Sequence, residues 1–216
     1  MKVHDLGNPG AETVLVQMVD GHDLESIEDE VRAVRERTEE EFRLLVMETA
    51  DWNLDLSPWE ASAVFGKDGF GGGAAHTLEE VRSLCREKGK TYYIGGYSLA
   101  GLFALWAAYQ TDMFRGVAAA SPSVWFPGFA DYMKENEIRT GVVYLSLGDR
   151  EERSKNPVLA SVGERIREAC RVLEDQGVSC TLEWNPGNHF KDAPIRTGKA
   201  FAWVMEERRH RSSQPY

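Results

Sequence analysis

The chain is poor in the features that mark membrane proteins, disulfide-stapled domains and nucleic-acid binders. Only 3 of its 216 residues are cysteine, and Cys85, Cys170 and Cys180 show no C-x-x-C spacing, so neither a zinc ribbon nor a disulfide framework is indicated. No apolar run approaches the roughly 20 residues needed to cross a bilayer. The opening Met-Lys-Val-His-Asp-Leu-Gly holds no apolar leader segment. Positive charge is also scarce: 25 Lys and Arg stand against 35 Asp and Glu, a net charge of −10. Neither nucleic acid nor an anionic membrane is therefore an expected partner. No internal repeat or low-complexity tract is present, and the expectation is a cytoplasmic protein in a reducing compartment.

What is present is the material of one domain spanning residues 1–216, with 42% hydrophobic residues to fill a core and no long linker. Thr13–Val19 is a β-rich apolar run stopped by Asp20-Gly21-His22-Asp23, the pattern of a buried strand and its turn. Leu24, Ile27, Val31 and Val34 then recur at helical spacing, with Asp23 as the expected N-cap. Further strands are expected at 42–49, 91–94, 116–120, 142–147 and 178–184. Helices are expected at 77–88, where Thr77 and Glu80 form a capping box, at 99–109, at 156–177 behind Pro157, and at 194–208. The last strand alternates Val178, Cys180, Leu182 and Trp184 with polar residues, which places it near a sheet edge. Strands alternating with helices imply an α/β fold whose mostly parallel sheet, of about six strands, is covered on both faces. Residues 50–76 lose periodicity and are rich in Trp, Pro and Gly, which reads as a loop or lid insertion. The basic stretch Arg208, Arg209, His210 and Arg211 reads as a solvated helix terminus.

Gly96-Tyr97-Ser98-Leu99-Ala100 matches G-x-S-x-[G/A], the nucleophile elbow, in which a strand turns abruptly into a helix and exposes the serine hydroxyl. Chance gives about 0.2 such matches in a chain of this composition, so context decides. A strand is expected before the motif and a helix apolar nearly all round after it, with Gly101 and Ala104 small enough for close packing. A serine hydroxyl needs a base, and the base needs a carboxylate to fix its tautomer. Of 5 histidines, His189 lies directly after the last expected strand. His4 and His210 lie in ends expected to fray, and His76 precedes the capping box. After the preceding strand, Gly148-Asp149-Arg150-Glu151-Glu152 offers three carboxylates. Glu151 is preferred because it stands one turn beyond the strand end; Asp149 is the second choice, and Glu152 stays open. The order serine, acid, histidine is that of α/β-hydrolases. An oxyanion hole needs two N–H donors: Leu99 would supply one, and His22 the other, where Gly21 lets the backbone bend close.

With these segments in view, the chain resembles the esterase family of α/β-hydrolases that holds siderophore (enterobactin-type) esterases, feruloyl esterases and S-formylglutathione hydrolase. The resemblance rests on Val19-Asp20-Gly21, Gly95 to Gly101, Ser121-Pro122-Ser123-Val124-Trp125, Gly148-Asp149-Arg150-Glu151 and Gly187-Asn188-His189-Phe190, in order over most of the chain. It implies ester hydrolysis through an acyl-enzyme on Ser98, with His189 as base and Trp125 and Phe126 lining the pocket. Ala100 departs from the family's second elbow glycine. The chain also starts too late for the family's antiparallel strands, which implies a trimmed sheet with an edge open to a partner chain, as in a homodimer.

Loops after parallel strands line the site in this architecture, so Trp52, Trp59, Trp125 and Phe126 are candidate substrate contacts, with Tyr97 beside the serine. The aromatics suggest an apolar or aryl acyl group on a small-molecule ester. No cofactor is expected, and no His/Cys/carboxylate cluster has metal-ligand spacing. Three other readings stand beside this one. Gly69-Phe70-Gly71-Gly72-Gly73-Ala74 is formally G-x-G-x-x-A, but it follows no clear strand and lacks the acidic residue that a dinucleotide site needs. A noncatalytic hydrolase-like binding module would keep the fold without the chemistry. An acyltransferase or thioesterase would keep the triad and change the acceptor or the leaving group.

Overall fold

The structure, a computed structural model, describes residues 1–212, with side chains described as far as Glu207. The chain begins with β1 (Lys2–Gly7), β2 (Thr13–Val19), α1 (Gly21–Leu24), α2 (Ile27–Arg35), β3 (Phe42–Glu48) and α3 (Trp52–Asp55). A two-stranded hairpin, β4 (Glu60–Ala61) and β5 (Phe70–Gly71), leads to α4 (Ala74–Leu84), β6 (Thr91–Tyr97), α5 (Leu99–Gln110) and β7 (Phe114–Ala120). Then come α6 (Phe129–Glu135), β8 (Val142–Gly148), a 3-10 turn (Glu151–Arg153), α7 (Pro157–Ala160), α8 (Val162–Asp175), β9 (Ser179–Asn185) and α9 (Ala193–Ser212).

The main sheet runs in the order β1-β3-β2-β6-β7-β8-β9, parallel throughout except that β1 pairs antiparallel with β3. Every residue of β2 and β8 is buried, because helices cover both faces and leave no wet side to alternate with. One face carries α4, α5, α6 and α8, whose Leu78, Leu102, Phe103, Phe129 and Ile166 fill the larger core. The other face is covered by α2 and α9 through Val31, Val34, Phe201 and Val204. Helix α5 is buried from Leu99 to Tyr109, as a helix without a polar stripe must be. The strand order reverses between β2 and β6, and the crevice at the carboxyl ends of strands beside such a reversal is where open α/β sheets bind ligands.

Several local expectations are corrected. The six expected parallel strands form, and a seventh, β1, joins them: Val3 and Leu6 pair with Met47 and Leu44. The antiparallel strands are thus reduced to one, and His4 is not frayed, since its Nε2 lies 3.1 Å from Glu48 Oε2. Asp23 caps no helix. Asp20, at the end of β2, accepts the Asp23 N–H at 2.7 Å and starts α1 earlier. The Thr77–Glu80 capping box does not exist: α4 begins at Ala74, and the Thr77 hydroxyl donates to the carbonyl of Asp55 at 2.7 Å. The helix also stops at Leu84, four residues short of 88. The helix expected over 156–177 is two, α7 capped by the Asn156 side chain and α8 starting at Val162. Strand β9 lies at the sheet edge, but its residues are mostly half-buried on both faces, so the wet face is not clean. The solvation of Arg208, Arg209, His210 and Arg211 lies outside the described side chains.

Candidate active site

Strand β6 ends at Tyr97 and α5 begins at Leu99, so Ser98 alone makes the turn, at φ 56° and ψ −121°. A non-glycine residue held there stores roughly 1–3 kcal/mol of strain, the mark of a backbone constrained by its surroundings. The turn can close this tightly because its flanks are bare. A Cβ on Gly96 would lie 2.6 Å from the Cβ of Ala100, and one on Gly95 would lie 2.6 Å from the Phe201 ring.

After β9 the chain turns back over the carboxyl ends of the strands and brings His189 to the serine. His189 Nε2 lies 3.0 Å from Ser98 Oγ, and Nδ1 lies 2.7 Å from Glu151 Oε2. The loop is fixed at two points: Asp149 Oδ1 accepts the Gly187 N–H at 2.8 Å, and the Tyr97 hydroxyl donates to the His189 carbonyl at 2.8 Å. Of the three carboxylates after β8, Glu151 therefore faces the imidazole. Asp149 anchors the loop that carries it, and Glu152 turns away to Arg167 at 3.5 Å.

Glu151 has a side chain only 5% exposed. Its Oε1 accepts from the Gly148 N–H at 2.6 Å, from the Ser121 hydroxyl at 2.8 Å and from Arg196 Nη1 at 3.2 Å. Burial pushes its pKa up, but the bond to His189 and that imidazole's charge, with the Gly148 and Ser121 donors, outweigh burial and hold it below the ordinary carboxyl value. Arg196 and Ser121 received no role from the sequence. A single Arg inside an amphipathic helix pattern carries no signal of its own, and only the fold brings α9 beneath the acid. The one visible hint was Ser121 in its Ser-Pro-Ser-Val-Trp segment; its φ is 42°, a second strained serine beside the site.

A cavity of about 490 Å³ opens over Ser98 and Leu99, lined by Trp52, Phe65, Phe70 and Trp125 and by Arg150 and Arg153. Of the expected substrate contacts, Trp52 and Trp125 line this cavity. Tyr97, Trp59 and Phe126 do not line it. Tyr97 is buried beneath the His189 loop. Phe126 packs edge-on against Phe70 and Trp59, with centroids 5.0 and 5.6 Å apart. Trp59 is half-buried, its Nε1 donating to the Pro127 carbonyl at 2.9 Å. The Leu99 N–H lies in the first turn of α5, where backbone donors have no partner within the helix. His22 lies in α1, its imidazole 90% exposed and outside the cavity lining. The neighbouring Asp23 has its pKa raised by burial and by Asp20, while the His189 imidazole is among the charges opposing that rise, so α1 lies within electrostatic reach of the site. Among the described residues no cluster of His, Cys, Asp and Glu could hold a metal ion, and no helix is long and apolar enough to cross a membrane.

No family model matches the chain, and no curated protein matches it. Solved structures do. Siderophore hydrolase EstB from Aspergillus nidulans superposes with a TM-score of 0.67 at 18% identity, over 93% of this chain and 84% of that one. The carboxylesterase of Bacillus cereus gives 0.62 at 15%, over 95% and 94%. The enterobactin esterase FES from Shigella flexneri gives 0.65 at 13%, over 95% of this chain and 55% of that one. The chain has the α/β-hydrolase fold. At these identities the likeness concerns the backbone alone, so the chemistry rests on the side chains above.

Proposed function

We propose that the protein hydrolyses a small-molecule carboxylic ester through an acyl-enzyme on Ser98. The observation that carries this reading is the unbroken line of contact from Ser98 Oγ through His189 to Glu151, 3.0 and 2.7 Å. His189 Nε2 takes the Ser98 proton as Oγ attacks the ester carbonyl. The negative oxygen that forms meets the Leu99 N–H and, in this reading, that of His22 in the helical turn after β2, the strand paired with β6. Collapse expels the alcohol, which leaves with the proton from His189. Water, deprotonated by the same imidazole, then attacks the acyl-serine, frees the carboxylic acid and restores the serine. Glu151 keeps the Nδ1 proton in place and stabilises the imidazolium throughout. Support comes from the strained Ser98 backbone, from the cavity over the hydroxyl, and from solved structures of the same fold that include a siderophore hydrolase and a carboxylesterase. The aromatic walls suit an apolar or aryl acyl group. The hairpin segment within 50–76, which contributes Phe65 and Phe70, is the lid of that cavity in this reading.

Purified protein is expected to react with a fluorophosphonate at Ser98 and to turn over short-chain p-nitrophenyl esters. Ser98→Ala should abolish both while leaving the thermal transition in place. A folded wild type that neither labels nor turns over would leave a noncatalytic binding module as the reading. Transfer of the acyl group to an added alcohol or thiol in preference to water would point to an acyltransferase.

A further inference from the structure

Beneath the site lies a buried cation that ester hydrolysis as described above does not use. The Arg196 side chain is 2% exposed. Its Nη1 reaches the Tyr97 hydroxyl at 2.9 Å, Glu151 Oε1 at 3.2 Å and the Ser121 hydroxyl at 3.4 Å, while Nη2 reaches the Pro186 carbonyl at 3.1 Å. Its acceptors belong to four separate segments: the end of β6 just before Ser98, the turn after β7, the turn after β8 that carries the acid, and the loop after β9 that carries His189. Among the described residues, Glu151 is the carboxylate that bonds it. Enclosing a guanidinium this fully is costly unless its donors are paired, and the planar fork suits several acceptors at fixed angles as an ammonium does not.

We infer that Arg196, with Ser121, is a positioning residue for the acid: it occupies Glu151 Oε1 so that Oε2 alone is presented to His189, and it locks the acid, the base loop and the serine strand into one unit. This inference rests on the hydrolase reading, but its geometry can be tested apart from turnover. Three arms hold Oε1: the Gly148 N–H, the Ser121 hydroxyl and Arg196. With Arg196 removed, Oε1 keeps only the Gly148 N–H and the Ser121 hydroxyl, and the ionised carboxylate loses the guanidinium bonded to it. Tyr97 also faces the acid, buried and neutral, its pKa pushed up to about 12 by burial first and by the Glu151 charge among other causes. Ser121 holds its hydroxyl toward the acid at the expense of a left-handed backbone, φ 42°, as expected where a side-chain direction matters more than local comfort.

The experiment compares wild type with Arg196→Gln, Arg196→Lys and Ser121→Ala in the full chain. Arg196→Gln should lower kcat by roughly 10- to 100-fold, the span of one hydrogen bond to a charged group, with KM little changed. The acid limb of its kcat–pH profile should move to higher pH, and Arg196→Lys should restore part of both. If Arg196→Gln does not fold, Ser121→Ala, which removes one neutral donor and no volume of note, should move the same limb by a smaller amount. A second readout needs no substrate: the far-downfield NMR resonance of the proton between His189 and Glu151 should broaden or vanish at a higher pH in the variants. Were the wild type inactive, this resonance would still decide the positioning role, so the two failures are distinct. A loss of activity that tracks thermal stability, with the pH limb and the resonance unmoved, would overturn the inference and leave Arg196 a packing residue.

Discussion

Two carboxylates two positions apart, Asp149 and Glu151, do different work, and the difference is measurable. Glu151 meets the imidazole, while Asp149 accepts one backbone N–H from Gly187. Glu151→Gln keeps the shape but presents either a carbonyl or an amide to His189 Nδ1, and the charge that stabilises the imidazolium is gone. The expected loss in kcat/KM is on the order of 10² to 10⁴. Asp149→Asn retains an oxygen for the Gly187 N–H, and its expected loss is under about tenfold. Steady-state kinetics on the two variants checks the ranking, and an equal or reversed ranking would move the acid role to Asp149. The reason Glu151 was legible and Arg196 was not is physical. The acid must follow a strand end by about one turn, a constraint local in sequence. The cation needs only to lie in a helix that crosses under the site, a constraint that exists only once α9 has packed.

At the scale of elements, the expected boundaries fail where a side chain found a partner far along the chain. Thr77 has the sequence of a cap, but its hydroxyl serves the Asp55 carbonyl instead, and α4 starts a turn earlier. His4 and its neighbours carry too little apolar content to announce a strand, yet β3 offers them an open edge on which to pair. The strong local signals held: the mostly apolar runs became β2 and β8, buried throughout, and the helix without a polar face became the buried α5. Asn156 shows a local and a distant role together. Its Oδ1 caps α7, accepting from Val158 N at 2.9 Å, and its Nδ2 donates to the Val64 carbonyl at 2.7 Å, beside Phe65 in the cavity wall. Asn156→Ala removes the cap and the tie at once. The cap alone is worth about 1 kcal/mol, equivalent to roughly 2–4 °C in Tm for a chain of this length. Hydrogen exchange over 62–69 should also rise more than over the strands of the sheet. If only the thermal transition moved, Asn156 would be a cap and nothing more.

For the molecule as a whole, the response of stability to pH is set by carboxyl groups displaced in opposite directions. Glu151 and Glu168 titrate below their ordinary value. For Glu151 the bonds and charge of its partners outweigh the opposing effect of burial; for Glu168 the hydrogen bond from Lys134 leads, joined by Arg165. Each such group adds stability above the unfolded carboxyl pKa, and that stability is lost as pH falls through the lower folded value. Glu30 behaves the other way. It is 3% exposed between α2 and β2, with Gln17 Nε2 at 3.1 Å on Oε2 and no hydrogen-bond partner on Oε1. Burial leads the causes that push its pKa from 4.5 to about 8. Between those two values the unfolded chain has released the proton and the folded chain retains it, so stability falls as pH rises through that window. The thermal midpoint should therefore peak in the mildly acidic range, roughly pH 5 to 6, and decline by pH 8. Glu30→Gln keeps the contact with Gln17 and removes the proton equilibrium. Its midpoint should match wild type near pH 5 and exceed it by several degrees at pH 8, as scanning calorimetry across pH would record. Parallel curves for the two proteins would mean that Glu30 is ionised in the folded state, with its charge met by groups other than Gln17.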